Sequence, residues 1–271
     1  MKILITGSTG FIGSNLVKYY STSSALVFPH TRQHSLSEML EVVQPDVIIN
    51  TAAEIYNPES MWSTNVEMTR SCLEYCKNVG ATLMHLGSSS EYGPVDRSSC
   101  ETDAVHALDM YSGTKSIATL MCKSYAATYN TDVVIIRPYS PYGPGERPHR
   151  LFPALWRSFK LGHSVKLVNG VHDFCYIDDF VRAVDIILTS DLRTPGEIIN
   201  VSSGQQTTNL EVLEIFQKVT GLAGNITIDD RFVTPPVWCA DISHLTKKYN
   251  WRPEFTLEQG IKKFLEVAHY E

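Results

Sequence analysis

Apolar segments and amphipathic segments alternate along the first two-thirds of the chain. Short continuous apolar segments are typical of strands buried on both faces, and apolar residues at every third or fourth position are typical of helices packed on a sheet. The alternation predicts an α/β fold, a doubly wound parallel sheet with helices on both faces. The predicted strands are Lys2–Thr6, Ala25–Phe28, Asp46–Asn50, Thr82–Leu86 and Val133–Ile136, and the predicted helices include Leu36–Val43, Met61–Asn78 and Met110–Tyr129.

The pattern changes near residue 140, where the Pro- and Gly-rich segment RPYSPYGPGERPH begins. Short strands and short helices follow, which indicates a smaller lobe and not an independent second domain. We therefore assign residues 1–140, with parts of 171–204, to the main domain and residues 141–271 mostly to a C-terminal substrate-binding lobe. The later predicted strands are Val165–Val168, Ile198–Val201 and Ile226–Ile228, and the later helices lie near 151–161, 179–190, 208–220 and 257–268.

The first strand leads directly into glycines with the spacing GxxGxxG, within MKILITGSTGFIG. Gly7, Gly10 and Gly13 permit a tight turn and let backbone N–H groups approach a pyrophosphate. The helix that begins there directs its positive end toward the same anion. Because the glycines lie between a strand and a helix, they predict a dinucleotide site in a Rossmann-like sheet. Further candidate cofactor-binding residues are Thr9, Phe11 and Ile12 in this turn, Thr31, Ala52 and Ala53 after the next strands, and Pro138 after the fifth.

The 271-residue chain is 43% hydrophobic and 19% charged, a composition typical of folded globular proteins. Its net charge of -6 argues against nucleic acid as a partner. No apolar segment approaches the ~20 residues of a membrane span, and the chain begins with a core strand, so we expect no membrane partner, no signal peptide and a cytoplasmic location. The six cysteines are scattered without a CxxC pair, which predicts neither a disulfide framework nor a metal site.

Tyr111 and Lys115, in the segment YSGTK, lie four residues apart on one face of a predicted helix. Tyrosine is a useful acid or base only if its pKa, normally ~10, moves toward the working pH. A neighbouring ammonium group favours the phenolate and lowers that pKa. Ser88, Ser89 and Ser90 follow the fourth strand in GSSSEYG, where a hydroxyl can hydrogen-bond the substrate oxygen that Tyr111 protonates or deprotonates.

Four ordered motifs, TGSTGFIG, GSSSEYG, YSGTK and RPYSPYGPG, resemble those of the extended short-chain dehydrogenase/reductase family. Members of that family are mostly nucleotide-sugar epimerases, dehydratases and 4-keto reductases. The resemblance extends over essentially the whole chain, because HDFCYIDD, INVSSG and CADISHL match later landmarks. It implies a nicotinamide cofactor and a catalytic set in which Ser88 is the hydroxyl, Tyr111 is the general acid/base, and Lys115 lowers the pKa of Tyr111 and binds the nicotinamide ribose.

Dehydratases of this family follow the catalytic hydroxyl with an acidic pair or with Ser–Glu. Ser89 and Ser90 stand in those places, which argues against elimination of water, although Glu91, one residue later, leaves that alternative open. The layout is most similar to that of 4-keto-deoxysugar reductases such as GDP-fucose synthase and CDP-paratose synthase. Ser90 stands where GDP-fucose synthase has a cysteine that works with a histidine, so we expect no full double epimerisation, with His149 left as a proton donor or substrate contact.

The end of the second strand, in ALVFPHTRQH, lacks the carboxylate that accepts the ribose 2′-hydroxyl of NAD. Arg32 suits a 2′-phosphate through a charge-assisted contact. We therefore expect NADP(H) to be preferred, with NAD(H) as the alternative. Among the substrate-binding candidates, Arg231 is expected to bind the diphosphate, with Arg150 and Arg157 as further candidates for that contact. His172 stands where the family usually has an arginine. The other candidate substrate contacts are Ser89, Ser90, Tyr139 and His149.

These observations favour an enzyme that reduces a nucleotide-activated 4-keto-deoxy sugar with NADPH. One alternative is an NAD(P)-dependent nucleotide-sugar epimerase, which oxidises and re-reduces the same carbon. A second is a non-catalytic dinucleotide-binding sensor, against which the complete set of Ser88, Tyr111 and Lys115 argues. The resemblance also implies a homodimer built from the helices around 61–78 and 110–129.

Overall fold

The computed structural model describes residues 1–229, 231 and 237–269. Within these ranges eleven strands form three sheets. The strands are β1 (Lys2–Thr6), β2 (Leu26–Pro29), β3 (Val47–Asn50), β4 (Thr82–Leu86), β5 (Val133–Pro138), β6 (Ser140–Tyr142), β7 (Val165–Val168), β8 (Val171–Tyr176), β9 (Glu197–Val201), β10 (Gln206–Thr208) and β11 (Ile226–Asp229).

The largest sheet has six parallel strands in the order β2-β1-β3-β4-β5-β9. The strand order changes direction between β1 and β3, which opens a crevice at the carboxyl ends of these strands, where open parallel sheets bind ligands. The central strands are apolar because both of their faces are covered, and all four residues of β3 are buried. The prediction of a doubly wound parallel α/β sheet is confirmed.

Helices cover both faces of this sheet and bury two apolar clusters. Ile3 and Ile5 of β1 belong to one cluster, and Leu4 between them belongs to the other, because successive side chains of a strand point to opposite faces. The helices are α1 (Phe11–Tyr20), α2 (Leu36–Val43), α3 (Pro58–Met61), α4 (Met68–Val79), α5 (Met110–Tyr129), α6 (Leu151–Leu161), α7 (Ile177–Thr189), α8 (Asn209–Thr220), α9 (Ser243–Tyr249) and α10 (Leu257–Val267).

The continuous helix predicted over Met61–Asn78 is divided by a π-helix, Trp62–Glu67, between α3 and α4. Asn65 in this π-helix is buried, and its side chain accepts the N–H of Glu54 at 2.8 Å and donates to the Thr114 hydroxyl at 3.0 Å. Hydrophobic periodicity predicts that this segment is helical, but it does not reveal the wider turn. The π-helix therefore ties the loop after β3 to α5.

The region after residue 140 contains elements that the sequence patterns do not predict, namely β6, β8, β10 and α9. Both β6 and β10 have only three residues, which is too short for an alternation to be recognised. These two strands flank β8 in a sheet of their own, and β11 pairs with β7 in another. By contrast, β9 joins the main sheet beside β5. The division into a main domain and a substrate-binding lobe stays a prediction.

Several global features concern only the described part of the chain. All six cysteines have free thiols. No group of three or more His, Cys, Asp or Glu side chains in the described ranges could hold a metal ion. No helix among the described residues combines the length and the apolar character that crossing a membrane requires.

Candidate active site

The turn between β1 and α1 is so tight that two of its glycines leave no room for a side chain. Gly7 has a φ of +63°, and a Cβ on it would lie 2.8 Å from the Cα of Ala52. A Cβ on Gly13 would lie 2.2 Å from the Gly7 carbonyl oxygen. Gly10 caps α1 with extended backbone, and the first turn of α1 is Phe-Ile-Gly, without an acidic residue. The N–H groups of this turn therefore suit a pyrophosphate, so the residues present fit a dinucleotide.

The other cofactor candidates near this turn lie at the same edge of the sheet. Ala52 follows β3 and packs directly against Gly7, which joins the carboxyl ends of β1 and β3. The remaining ones are Thr9, which is exposed, Phe11, Ile12 and Ala53, which are half-buried, and Pro138, the half-buried last residue of β5.

Arg32, after β2, forms an ion pair with Glu54, a residue that the sequence patterns did not single out. Its Nη2 lies 3.2 Å from Oε2 of Glu54, and the Arg32 side chain is 80% exposed. The other oxygen of Glu54 accepts the N–H groups of Ile55 and Tyr56, both at 3.0 Å. Hydrogen bonds from the backbone, then the Arg32 guanidinium, lower the pKa of Glu54. The sequence signal that could have identified Glu54 is its position immediately after the Ala-Ala pair that follows β3. Arg32 thus already has an anionic partner, whereas its neighbour Thr31 contacts His34.

Ser88 and Tyr111 are brought together from different elements. Ser88 follows β4 and caps a short 3-10 helix, Ser89–Tyr92, and Tyr111 lies in the first turn of α5. The Ser88 hydroxyl is near enough to the Tyr111 phenol to affect its pKa. Burial raises the pKa of the Tyr111 phenol, and the Ser88 hydroxyl and the charge of Arg150 act in the opposite direction. The fold therefore brings Ser88 and Tyr111, two of the three predicted catalytic residues, side by side.

Lys115 lies one helical turn after Tyr111 and is almost completely buried, with 2% of its surface exposed. Its ammonium group donates to the carbonyl oxygen of Leu86, the last residue of β4. Burial lowers the pKa of Lys115 to about 8, and the charge of Glu91 acts in the opposite direction. Lys115 thus stands between α5 and the carboxyl end of β4, next to the Ser88 loop.

Glu91 does not offer the substrate an acid for elimination of water. The side chain is completely buried, and one of its oxygens lies 2.7 Å from Nη2 of Arg137 in an ion pair. The other oxygen accepts the Ser88 N–H at 2.8 Å and the Thr119 hydroxyl at 3.1 Å. A carboxylate enclosed in this way has no surface to present to a sugar. The alternative that the sequence left open for Glu91 is therefore disfavoured on structural grounds.

The two serines between Ser88 and Glu91 have different surroundings. Ser89 is buried, with 4% of its surface exposed, whereas Ser90 is half-buried. The Ser90 hydroxyl lies 2.7 Å from the Ser88 hydroxyl. Of these two candidate substrate contacts, Ser90 is the one joined to the Ser88–Tyr111 pair.

A polar contact connects the loop after β3 with the loop before α6. The Tyr56 hydroxyl lies 3.0 Å from Nε2 of His149, and the Arg147 guanidinium lies 5.0 Å from the centre of the Tyr56 ring. The Asn15 amide in α1 donates to the carbonyl of Pro144, which holds the same loop against α1. His149 thus lies above the edge of the sheet that carries the glycine turn.

His172 is neutral, because burial lowers its pKa to about 4 and the nearby charge of Arg150 acts in the same direction. Its Nδ1 lies 3.3 Å from the Ser140 hydroxyl, and its ring lies against Phe174. Arg150 also lies 3.7 Å from the buried carboxylate of Glu146, whose pKa burial raises to about 7. Arg150 is therefore the cation of this region, and His172 adds no positive charge to it.

Arg231 stands apart from these residues. It forms an ion pair with Asp229, 2.6 Å away, at the end of β11, and its side chain is 77% exposed. Within the described ranges, no contact joins Arg231 to Ser88, Tyr111 or Arg150, and residues 232–236 lie outside those ranges. Arg157 is half-buried in α6. The diphosphate role expected for Arg231 stays a prediction.

An aromatic cluster lies just beyond β5. Tyr139 is half-buried, and its ring lies 6.4 Å from those of both Tyr92 and Trp238, measured between centroids. Trp238 is held by a hydrogen bond from its backbone N–H to the Gln206 side chain. Trp238 lies 99 residues after Tyr139 in the chain, so its position beside Tyr139 could not be inferred from sequence spacing.

Comparison with known proteins finds likeness over nearly the full chain. The family model described as the NAD dependent epimerase/dehydratase family matches residues 3–202. The low-salt glycan biosynthesis protein Agl12 of Haloferax volcanii is 28% identical over 97% of this chain and 96% of that protein. The structure of dTDP-glucose 4,6-dehydratase from Bacillus anthracis in complex with NAD superposes with a TM-score of 0.86 and 25% identity, covering 98% of this chain and 96% of the other. The structure of UDP-glucuronic acid 4-epimerase from Bacillus cereus, in complex with UDP-glucuronic acid and NAD, superposes with a TM-score of 0.87 and 24% identity, covering 98% of both chains.

Proposed function

The chain belongs to the NAD dependent epimerase/dehydratase family, and within that family we propose that it reduces the 4-keto group of a nucleotide-activated deoxy sugar with NADPH. It is an enzyme of the extended short-chain dehydrogenase/reductase type that uses a nicotinamide dinucleotide and acts on nucleotide sugars. The observation that carries the proposal is the juxtaposition of Ser88 and Tyr111, with Lys115 one helical turn away. These groups lie at the sheet edge that also carries the glycine turn.

In this proposal, Tyr111 donates its proton to the sugar C4 oxygen when hydride reaches C4. The cofactor, when bound, supplies the hydride from its nicotinamide ring. Ser88 donates a hydrogen bond to the same oxygen, which holds it beside the phenol. Lys115 binds the nicotinamide ribose and favours the phenolate that remains after proton transfer. Gly7, Gly10 and Gly13 let the backbone hold the pyrophosphate.

Reduction is favoured over elimination because of the residues that follow Ser88. Ser89 and Ser90 have hydroxyl groups, which are too weak as acids or bases to remove a sugar hydroxyl as water. The carboxylate that follows these serines, Glu91, is enclosed by Ser88 and Arg137. These contacts support a reaction that needs only the Tyr111 proton.

The proposed preference for NADPH rests on Arg32, because its guanidinium is exposed and suits a 2′-phosphate. Glu54 favours the second candidate function, an NAD(P)-dependent nucleotide-sugar epimerase. Its carboxylate lies at 3.2 Å from Arg32, where it could instead accept a ribose 2′-hydroxyl of NAD. We place the reductase first because the exposed Arg32 can leave Glu54 at small cost.

We further propose that the chain forms a homodimer through the π-helix, α4 and α5. Large apolar side chains on these elements are exposed, among them Trp62, Ile117 and Leu120. Such residues on neighbouring helices support burial against a second copy. For the substrate, we propose Arg150, His149 and Tyr139 as contacts of the nucleotide-sugar, with His172, Ser89, Ser90 and Arg231 as the remaining candidates.

The test is the consumption of reduced nicotinamide on a panel of nucleotide 4-keto-6-deoxyhexoses, with NADPH and NADH measured in parallel. Stoichiometric loss of NADPH absorbance, with the reduced sugar identified by NMR, would support the reductase. Conversion of nucleotide hexoses to isomers without loss of NADPH would support the epimerase.

Tyr111→Phe separates both enzymes from a non-catalytic sensor. We expect turnover to fall by about 10²-fold or more while NADPH still binds, because the proton donor is lost and the ring remains. Turnover at the wild-type rate in this variant would refute the role of Tyr111.

A further inference from the structure

Glu91 and Arg137 form an ion pair in the interior, directly behind Ser88. Their side chains are 0% and 1% exposed, and two nitrogens of Arg137 donate to the same Glu91 oxygen, at 2.7 and 3.1 Å. Removing two charges from water is costly, and a buried pair commonly stabilises a fold no better than apolar residues of similar size. The pair is therefore poorly explained by stability alone.

The other oxygen of Glu91 faces the Ser88 loop. It accepts the Ser88 backbone N–H at 2.8 Å, and the Thr119 hydroxyl of α5 donates to it at 3.1 Å. A Cβ on Gly87 would lie 2.5 Å from this oxygen, so the backbone passes as close to the carboxylate as a glycine allows. Glu91 thus holds the backbone at Ser88 and connects it to the helix that carries Tyr111.

Arg137 is in turn held in place from two directions. It belongs to β5, and its guanidinium lies 4.4 Å from the centre of the Tyr92 ring. The Tyr92 hydroxyl donates to the side chain of Asn200 in β9 at 2.7 Å. Arg137 is therefore anchored to two neighbouring strands of the main sheet, β5 and β9.

We propose that Glu91 and Arg137 are positioning residues that hold the Ser88 loop in place, so that the Ser88 hydroxyl stays beside Tyr111. The inference rests on the proposed function, in which Ser88 and Tyr111 act together on the substrate oxygen. Glu91 accepts from the Ser88 backbone and not from its hydroxyl, so it acts through Ser88 and does not touch the substrate. Displacement of a catalytic group by about 1 Å can cost roughly 10²-fold in rate.

The first test needs no substrate. A fluorinated tyrosine that ionises near neutral pH is placed at position 111, and its pKa is followed by fluorine NMR. Ser88→Ala should raise this pKa, because a hydrogen bond to the phenolate is lost. In the Glu91→Gln background the same Ser88→Ala change should raise it by less than half as much, because Ser88 has already moved. Equal rises in both backgrounds would overturn the proposal.

Glu197→Gln is the matched control. Glu197 is also a buried carboxylate that accepts several hydrogen bonds, but it lies at the start of β9, where it contacts His244 and Lys248. Ser88→Ala should have its full effect in that background. If Glu91→Gln does not fold, Arg137→Lys replaces it, because lysine keeps the charge but has one nitrogen in place of the two that Arg137 directs at Glu91. A full Ser88→Ala effect in the Arg137→Lys background would equally overturn the proposal.

The second test uses turnover. Glu91→Gln should lower kcat by about 10²-fold and leave the Kd for NADPH unchanged within about threefold. When Ser88 is already alanine, Glu91→Gln should lower kcat by less than about threefold. Multiplicative losses would assign Glu91 a merely structural role. Absence of turnover by the wild-type enzyme on every sugar would refute the proposed function, while the pKa measurement would still decide the positioning role.

Discussion

Gly13→Ala is the substitution whose effect the structure defines best. The added Cβ would lie 2.2 Å from the Gly7 carbonyl oxygen and 2.7 Å from the Thr51 hydroxyl. The first of these is a backbone atom, which cannot rotate away as a flexible side chain would. To reach an ordinary contact of 3.4 Å, the Gly7 carbonyl must move by about 1 Å. Such crowding costs about 1–3 kcal/mol, and α1 must move away from β1.

Two measurements follow from this displacement. The melting temperature should fall by about 2–4 °C for each kcal/mol lost. The affinity for NADPH, measured by the fluorescence of the bound nicotinamide, should fall by about tenfold or more, because the N–H groups at the start of α1 no longer meet the pyrophosphate.

Gly113→Ala is the matched control for Gly13→Ala. Gly113 lies within α5, and a Cβ there meets no atom within 4 Å among the described residues. Alanine is the better helix former by about 0.5–1 kcal/mol, so this variant should be slightly more stable than the wild type and bind NADPH normally. If Gly13→Ala matched Gly113→Ala in both stability and affinity, the tight glycine turn would not be the cofactor site.

Two further predictions concern charge. Arg32→Ala should weaken NADPH binding selectively and leave NADH binding nearly unchanged. Glu54→Gln should strengthen NADPH binding, because Arg32 loses a competing anion. The measurement is the ratio of the kcat/KM values for NADPH and NADH, and equal effects on both cofactors would contradict the roles of Arg32 and Glu54. Lys115 has a folded-state pKa of about 8, below its unfolded value of ~10.4. Between these pH values the unfolded state therefore binds more protons than the folded state. The free energy of unfolding of the wild type, measured with urea, should rise with pH across this window by up to about 3 kcal/mol relative to that of Lys115→Met. A pH-independent difference between the two proteins would show that Lys115 is not a buried cation.

Glu54 and Glu91 illustrate how neighbours across the sheet change the meaning of a residue. In the sequence, Glu91 follows three serines and is a candidate for elimination chemistry, and Glu54 is an unremarked residue after two alanines. In the fold, Arg137 forms an ion pair with Glu91, and Arg32 reaches Glu54 from the turn after β2. Both arginines are more than twenty residues from their glutamates, so no local spacing contains either ion pair.

Patterns that act over a few residues are visible in the sequence because their physical cause is local. The apolar run of β1, the Gly7–Gly13 spacing and the four-residue separation of Tyr111 and Lys115 belong to this class. They were sufficient to predict the parallel sheet, several element bounds such as those of α2, β4 and α5, and the family. Sequence alone was therefore sufficient for the architecture and the family.

Contacts between distant segments were decided only by the tertiary structure. The π-helix that fixes Asn65, the pairing of β6 with β8 and the placement of Trp238 beside Tyr139 all depend on packing between elements. The same holds for electrostatics, because burial sets the pKa of Lys115 near 8 and keeps His172 neutral, and burial is a property of the folded chain. Sequence named the candidate catalytic groups, and the tertiary structure decided their partners, because hydrogen-bond distance and desolvation exist only after distant segments meet.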